Sequence, residues 1–287
     1  LKPLYHIKMH CQLDGYWKKM KKTYIIVLCV IIVVIVSLIA VPLLLRPGRS
    51  EALQNAITKA IDYSEAIRDP YELLMLNVMY RRFGITAFAD SLQLYDQELS
   101  ERPDDAPLLR VFRRIADHDN QLQPGDLDEV SVDIDQITVP ALYCDRLGFS
   151  DRYADILEQA TFMGGNLLPH IVLARIWTKD NGCEWPRPES SMETVYSETA
   201  DLIGYDPLVD DLRLEAAAFL FLAGQGSRVS DTFIDRVLAV QNDDGGWSYS
   251  SNISSESESH ATVLALMLLL HVQNPADSYP PMLAPAS

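Results

Sequence analysis

The chain is poor in the motifs that usually announce a reaction. Its 287 residues hold no P-loop, no dinucleotide fingerprint, no nucleophile elbow and no His-Glu-x-x-His pair. Nucleotide, hydride, acyl-transfer and zincin chemistry are therefore without their customary sequence support. Cysteine is scarce as well: Cys11, Cys29, Cys144 and Cys183. No two have CxxC spacing, which excludes a zinc ribbon or a dithiol redox motif. Only Cys144 and Cys183 lie beyond the N-terminal region, and spacing alone leaves open whether they meet in a disulfide. No EF-hand spacing links Asp243, Asp244, Glu256 and Glu258, so these acids read as a solvated loop.

Positive charge is scarce past residue 50. Residues 1–50 carry eight Lys/Arg against one acid, Asp14, a net of +7. The whole chain carries −16, so residues 51–287 carry −16 − 7 = −23. A domain so acidic repels phosphate backbones, and nucleic acid is excluded as a partner.

What the chain does have begins with an apolar run. Tyr24–Leu45 is 22 residues without a charge, rich in Ile, Val and Leu. As a helix it is about 33 Å long, enough for a bilayer core of ~30 Å. It exceeds the apolar region of a cleavable signal peptide, and Ala40-Val41-Pro42 is a poor cleavage site. It reads as a transmembrane signal anchor whose partner is the lipid bilayer. Lys18, Lys19, Lys21 and Lys22 precede it, and only Arg46 and Arg49 follow closely. The positive-inside rule then places 1–23 in the cytoplasm as a short basic segment, with Met20 as an alternative start. Residues 46–50 form a linker, and 51–272 form an extracytoplasmic domain of a single-pass cell-membrane protein. The proline-rich 273–287 is expected to be a disordered tail.

The domain reads as helix after helix. Ser50 starts the first, which is expected to run to about Ile67, and Asp69-Pro70 starts the second, which Gly84 stops. Further helices are expected over Thr86–Leu99, Pro107–Ala116, and about 134–147, 151–163, 167–180, 191–203, 209–223, 230–240 and 259–272. Glycine and proline separate them. Strand-like alternation is scarce, so the fold class is all-α.

The most specific stretch follows Val240. Gln241-x-x-x-Gly245-Gly246-Trp247 resembles the QW motif of squalene–hopene cyclases and the corresponding turn of protein prenyltransferase β subunits. The resemblance implies an α/α toroid, a ring of inner and outer helices. It also implies that Gln241, Gly245, Gly246 and Trp247 form a structural motif binding neighbouring helices. An irregular α-solenoid is the alternative fold. The family's chemistry carries over poorly. Asp133-Ile134-Asp135-Gln136 resembles the cyclase Asp-x-Asp-Asp, which implies Asp135 as the acid, but Gln136 stands where the last carboxylate belongs. His260-Ala261-Thr262 is similar to part of the prenyltransferase zinc site, yet the Asp-x-Cys partner is missing throughout.

One regularity stands without the family. His170, Glu215 and His260 each open an apolar run, and the two gaps are 45 residues each, the scale of a helix-pair repeat. Asp135 opens another such run. Two readings stay open. In one, Asp135, His170, Glu215 and His260 line a pocket mouth, with His170 and His260 as candidate ligands of a divalent metal or as acid and base. In the other, each residue caps or hydrogen-bonds a helix start. No cofactor is expected. The function expected is a binding or scaffold domain for an unknown ligand or protein partner. The alternative is an enzyme acting on a lipid, isoprenoid or polysaccharide at the inner-helix ends.

Overall fold

The computed structural model describes residues 48–204, 208–251, 256–276 and 278–286. The apolar segment expected to span a membrane, 24–45, lies outside the described residues. Among those described, no helix is long and apolar enough to cross a membrane.

The described chain is all-helical, with only two isolated backbone bridges. In order the helices are α1 (Arg49–Ser64), α2 (Pro70–Phe83), α3 (Ser91–Glu101), α4 (Ala106–Phe112), α5 (Asp133–Leu142), α6 (Cys144–Leu147), α7 (Tyr153–Met163), α8 (Leu167–Asp180), α9 (Ser190–Ile203), α10 (Asp211–Leu222), α11 (Asp231–Ala239) and α12 (Ser259–Gln273). Their ends follow local chemistry. Asp69 caps α2 by accepting from the Tyr71 N–H at 3.0 Å, Pro70 occupies the first turn, and Gly84 ends the helix at φ +70°.

Two kinds of helix alternate. α1 buries a single stripe, Leu53, Ala56, Ile57, Ala60 and Ser64, at helical spacing. α7, α9 and α11 do likewise. By contrast, α12 buries every residue from Ala261 to His271, and α10 every residue from Leu214 to Leu220. Such helices are apolar all round and must be enclosed by others. α12 packs on α10 and on α2, α10 on α8, and α8 on α5. The helices with the broadest burial are thus one another's neighbours. The one-sided helices pack outside them, α7 and α9 on α8 and α9 on α10.

Two expected helices are divided. Thr86–Leu99 becomes a 3-10 turn at Thr86–Phe88 followed by α3. The 134–147 helix breaks at Tyr143 (φ −119°), whose hydroxyl donates to the Val111 carbonyl at 2.8 Å. Beyond that break Cys144 is bonded to Cys183, with their Cα atoms 6.3 Å apart. The disulfide ties α6 to the segment after α8.

The tail is a correction. Residues 278–286 are ordered against the domain, because Met282 and Leu283 supply apolar anchors among the prolines and are buried. Asp180 accepts the Met282 and Leu283 N–H groups at 2.7 and 3.2 Å. Arg81 donates to the Met282 carbonyl at 2.7 Å, and the Ala284 N–H to that of Ile115 at 3.0 Å.

The Gln241–Trp247 turn joins three helices. Gln241 Nε2 donates to the carbonyls of Ala56 in α1 and Gly245, both at 2.8 Å. Trp247 is buried, and its Nε1 donates to the Val237 carbonyl of α11 at 2.8 Å. Its backbone N–H donates to Thr262 Oγ1 of α12 at 2.9 Å. Gly245 has φ +95°, and a Cβ there meets the Lys59 carbonyl oxygen at 2.3 Å. At Gly246 the obstacle is Ser257 Cβ, at 2.5 Å. Gly245→Ala combines a left-handed backbone with a clash against main chain. We predict a loss of about 2–4 kcal/mol in stability, read as a lower urea midpoint at unchanged slope.

Candidate carboxylate–histidine site

The starts of the enclosed helices bring ionisable groups together. His260 stands in the first turn of α12, Glu72 in that of α2, and Asp211 and Glu215 in the first two turns of α10. His260 Nδ1 lies 2.9 Å from Glu72 Oε1, and its Nε2 lies 3.9 Å from Asp211 Oδ1. His170, one turn into α8, has Nε2 at 3.4 Å from Glu215 Oε1.

None of these five side chains is the cap of its helix. Asp210 caps α10, accepting from the Arg213 N–H at 2.9 Å, and Glu258 caps α12, accepting from the Ala261 N–H at 2.9 Å. His170 does bond its own helix start, with Nδ1 at 2.8 Å from the Asn166 carbonyl. That contact makes Nδ1 the donor and leaves Nε2 toward Glu215.

Electrostatics separate the roles. Burial of Glu215 is the largest influence on its carboxyl; Asp211 adds to it and His260 opposes, and the pKa is pushed up to about 8. Glu215 therefore holds its proton at neutral pH. Burial pushes the His170 imidazole down, so it is neutral there and its Nε2 lone pair faces the Glu215 carboxyl. His260 is the opposite case. Burial works against its imidazolium, but the Glu72 hydrogen bond and the charges of Asp211, Glu72 and Glu215 outweigh it, and its pKa rises to about 9. Glu72 and Asp211 are both shifted up by burial. Two of their oxygens, Glu72 Oε2 and Asp211 Oδ1, are buried without a hydrogen-bond partner. The site thus contains a protonated carboxyl, an imidazolium, a neutral imidazole and two acceptors short of donors. The His260 side chain, 43% exposed, is its opening to solvent.

Of the residues expected from the sequence, His170 and Glu215 form one contact and His260 joins them through charge. Asp135 stands apart. It is buried in the first turn of α5, where burial raises its pKa, and no described hydrogen bond or ion pair links it to the cluster. Its charge is felt instead at Tyr71, whose hydroxyl is pushed up to about 12, chiefly by burial. Among the described residues no group of three or more His, Cys, Asp or Glu side chains is arranged to hold a metal ion. Glu72 and Asp211 were missed by sequence reasoning. The signal for Glu72 was present: it opens the run Leu73–Met79 just as His260 opens α12. Asp211 lies four residues before Glu215 and so shares its face of α10.

The shifts fix a pH dependence. Both Glu215 and His260 bind protons more tightly when folded, so the folded chain holds more protons and stability falls as pH rises. The Glu215 contribution is present in full below its ordinary carboxyl range and is lost as pH climbs through about 8. That of His260 persists to higher pH and is lost through about 9. In Glu215→Gln we expect a flatter fall of Tm between pH 5 and pH 8 than in the wild type. A fall of unchanged steepness contradicts the assignment.

No protein-family model, curated protein or solved structure matches this chain.

Proposed function

We propose that this chain is a membrane-tethered, extracytoplasmic helical domain that binds a ligand through the carboxylate–histidine cluster at the starts of its enclosed helices. The observation that carries the reading is the pair of orphaned acceptors, Glu72 Oε2 and Asp211 Oδ1, beside the imidazole of His260. A buried acceptor without a donor costs about 1–3 kcal/mol, and a ligand bearing N–H or O–H groups relieves that cost. Protonated amines and vicinal hydroxyls have the matching chemistry.

The fold reading extends in the same direction. The neighbour order α2–α12–α10–α8–α5, with one-sided helices outside, supports an α/α toroid over an irregular solenoid. It agrees with the Gln241–Trp247 motif. The uncharged run 24–45 supports a tether. The Cys144–Cys183 disulfide supports an oxidising, extracytoplasmic compartment, since such bonds are rare in reducing cytosol.

A second reading is favoured by one observation. Glu215 keeps a proton at neutral pH in the same cluster as the imidazolium of His260 and the carboxyls of Glu72 and Asp211, and a carboxyl held protonated at neutral pH is what a general acid requires. On that reading the cluster acts on a lipid, isoprenoid or polysaccharide substrate, with Glu215 as proton donor.

The test is thermal unfolding of the full chain in neutral-lipid nanodiscs, in the presence of primary amines or of oligosaccharides. We expect one of these classes to raise Tm by several degrees, and Glu72→Gln and Asp211→Asn each to abolish the rise. No rise with either class, or a rise that survives both substitutions, contradicts the binding reading. Release of product from the bound class, lost in Glu215→Gln, decides for the enzyme.

A further inference from the structure

A second site lies at the other end of the enclosed helices. A cleft of about 470 Å³ opens where α2, α8 and α10 finish, and the ordered tail forms part of its wall. Arg82, Arg175 and Lys179 contribute cationic groups to it, and Tyr196, Phe221 and Tyr279 contribute aromatic faces. This is an unexpected place for clustered cations in a domain of charge −23.

Two acids, Asp180 and Glu189, line the cleft against these three cations and offset them only in part. Asp180 feels the charges of Arg82 and Lys179, but its Oδ2 is committed to the tail amides of Met282 and Leu283. Glu189 pairs with Arg175 at 2.6 Å, but its side chain is 69% exposed, so the pair is held weakly and opens readily. The Lys179 side chain makes no hydrogen bond or ion pair among the described residues, and its charge reaches the Asp180 carboxyl at longer range. The Arg82 guanidinium lies 4.6 Å from the centre of the Tyr279 ring and donates to the Pro280 carbonyl at 2.8 Å. Its Nε is buried with no partner among the described residues. Cations in the last turn of a helix also answer the carbonyls there, which accounts in part for Arg82 and Lys179. It does not account for Arg175, more than a turn inside α8.

We propose that this cleft binds a small organic anion, a carboxylate on a flat apolar body. Lys179 and Arg175 receive the carboxylate, and the body lies among Tyr196, Phe221 and Tyr279. Such a ligand gives the Lys179 side chain a partner, displaces the exposed Glu189 carboxylate from Arg175, and covers the aromatic faces around them. Its volume suits the cleft, which is at the small end of typical ligand pockets. The site shares no residue with the carboxylate–histidine cluster, and its ligand has the opposite charge preference.

The experiment is calorimetric titration of the full chain in phosphatidylcholine nanodiscs with 2-naphthoate, against empty nanodiscs. Two control ligands are 2-naphthylmethylamine, of opposite charge, and inorganic phosphate, which lacks the apolar body. We expect saturable binding of naphthoate, at least tenfold weaker binding of both controls, and a tenfold loss of naphthoate affinity in Lys179→Gln. The Lys179 side chain is exposed and makes no hydrogen bond or ion pair among the described residues, so that variant should unfold within about a degree of the wild type. Arg175→Gln provides an independent second loss. The proposal is overturned if naphthoate does not bind, if the amine binds equally well, or if both variants keep wild-type affinity.

Discussion

The turn from Gln241 to Trp247 is the constraint on which the rest of the domain depends. It is a seven-residue piece of main chain with two glycines that admit no Cβ, and it reaches helices at both ends of the fold. Gln241 holds the backbone of α1, the first described helix, while Trp247 holds α11 and α12, the last two. The two Trp247 bonds satisfy buried polar groups and the Gln241 bond a partly buried one, so their loss leaves orphaned groups as well as broken contacts. Because α12 also packs on α2, the turn fixes the beginning of the domain against its end.

That closure positions the chemistry. Glu72 belongs to α2 and His260 to α12, 188 residues apart, and they meet at 2.9 Å only because the two helices are adjacent with their starts at the same end. Asp211 and Glu215 arrive on the neighbouring α10, and His170 on α8. Helix starts favour negative charge. Here they gather three carboxyls and two imidazoles in a partly dry space, where burial, more than any single neighbour, spreads the proton affinities apart. The cationic cleft at the opposite helix ends follows the same polarity, with carbonyl-rich termini and basic side chains.

Much of this was legible in the residues. Capping and breaking residues such as Asp69-Pro70 and Gly84 mark helix ends that the structure keeps. The all-round apolar character of 261–270 marked an enclosed helix, and the 45-residue spacing of His170, Glu215 and His260 marked equivalent helix starts. Long-range pairing was not legible. Nothing local in Ala56 or Lys59 says that the Gln241 turn rests there, and nothing in Cys144 or Cys183 says that they meet. The tail misled because proline density argued for disorder, while three buried apolar residues, Met282–Ala284, and the Asp180 carboxylate decide for order. Asp135 misled because its place in an Asp-x-Asp pattern said nothing of its distance from the other carboxyls.

The central claim is that the Gln241–Trp247 turn makes α1 and α12 one cooperative unit. Native-state hydrogen exchange tests it most directly, because it assigns an opening free energy to each protected amide. The account predicts that the interior amides of α1, such as Ala60 and Ile61, exchange with the same free energy as those of α12, such as Leu266 and Leu268. It predicts further that both fall together in Gln241→Ala. If α1 opens at markedly lower free energy than α12 in the wild type, the turn does not couple them and the account fails.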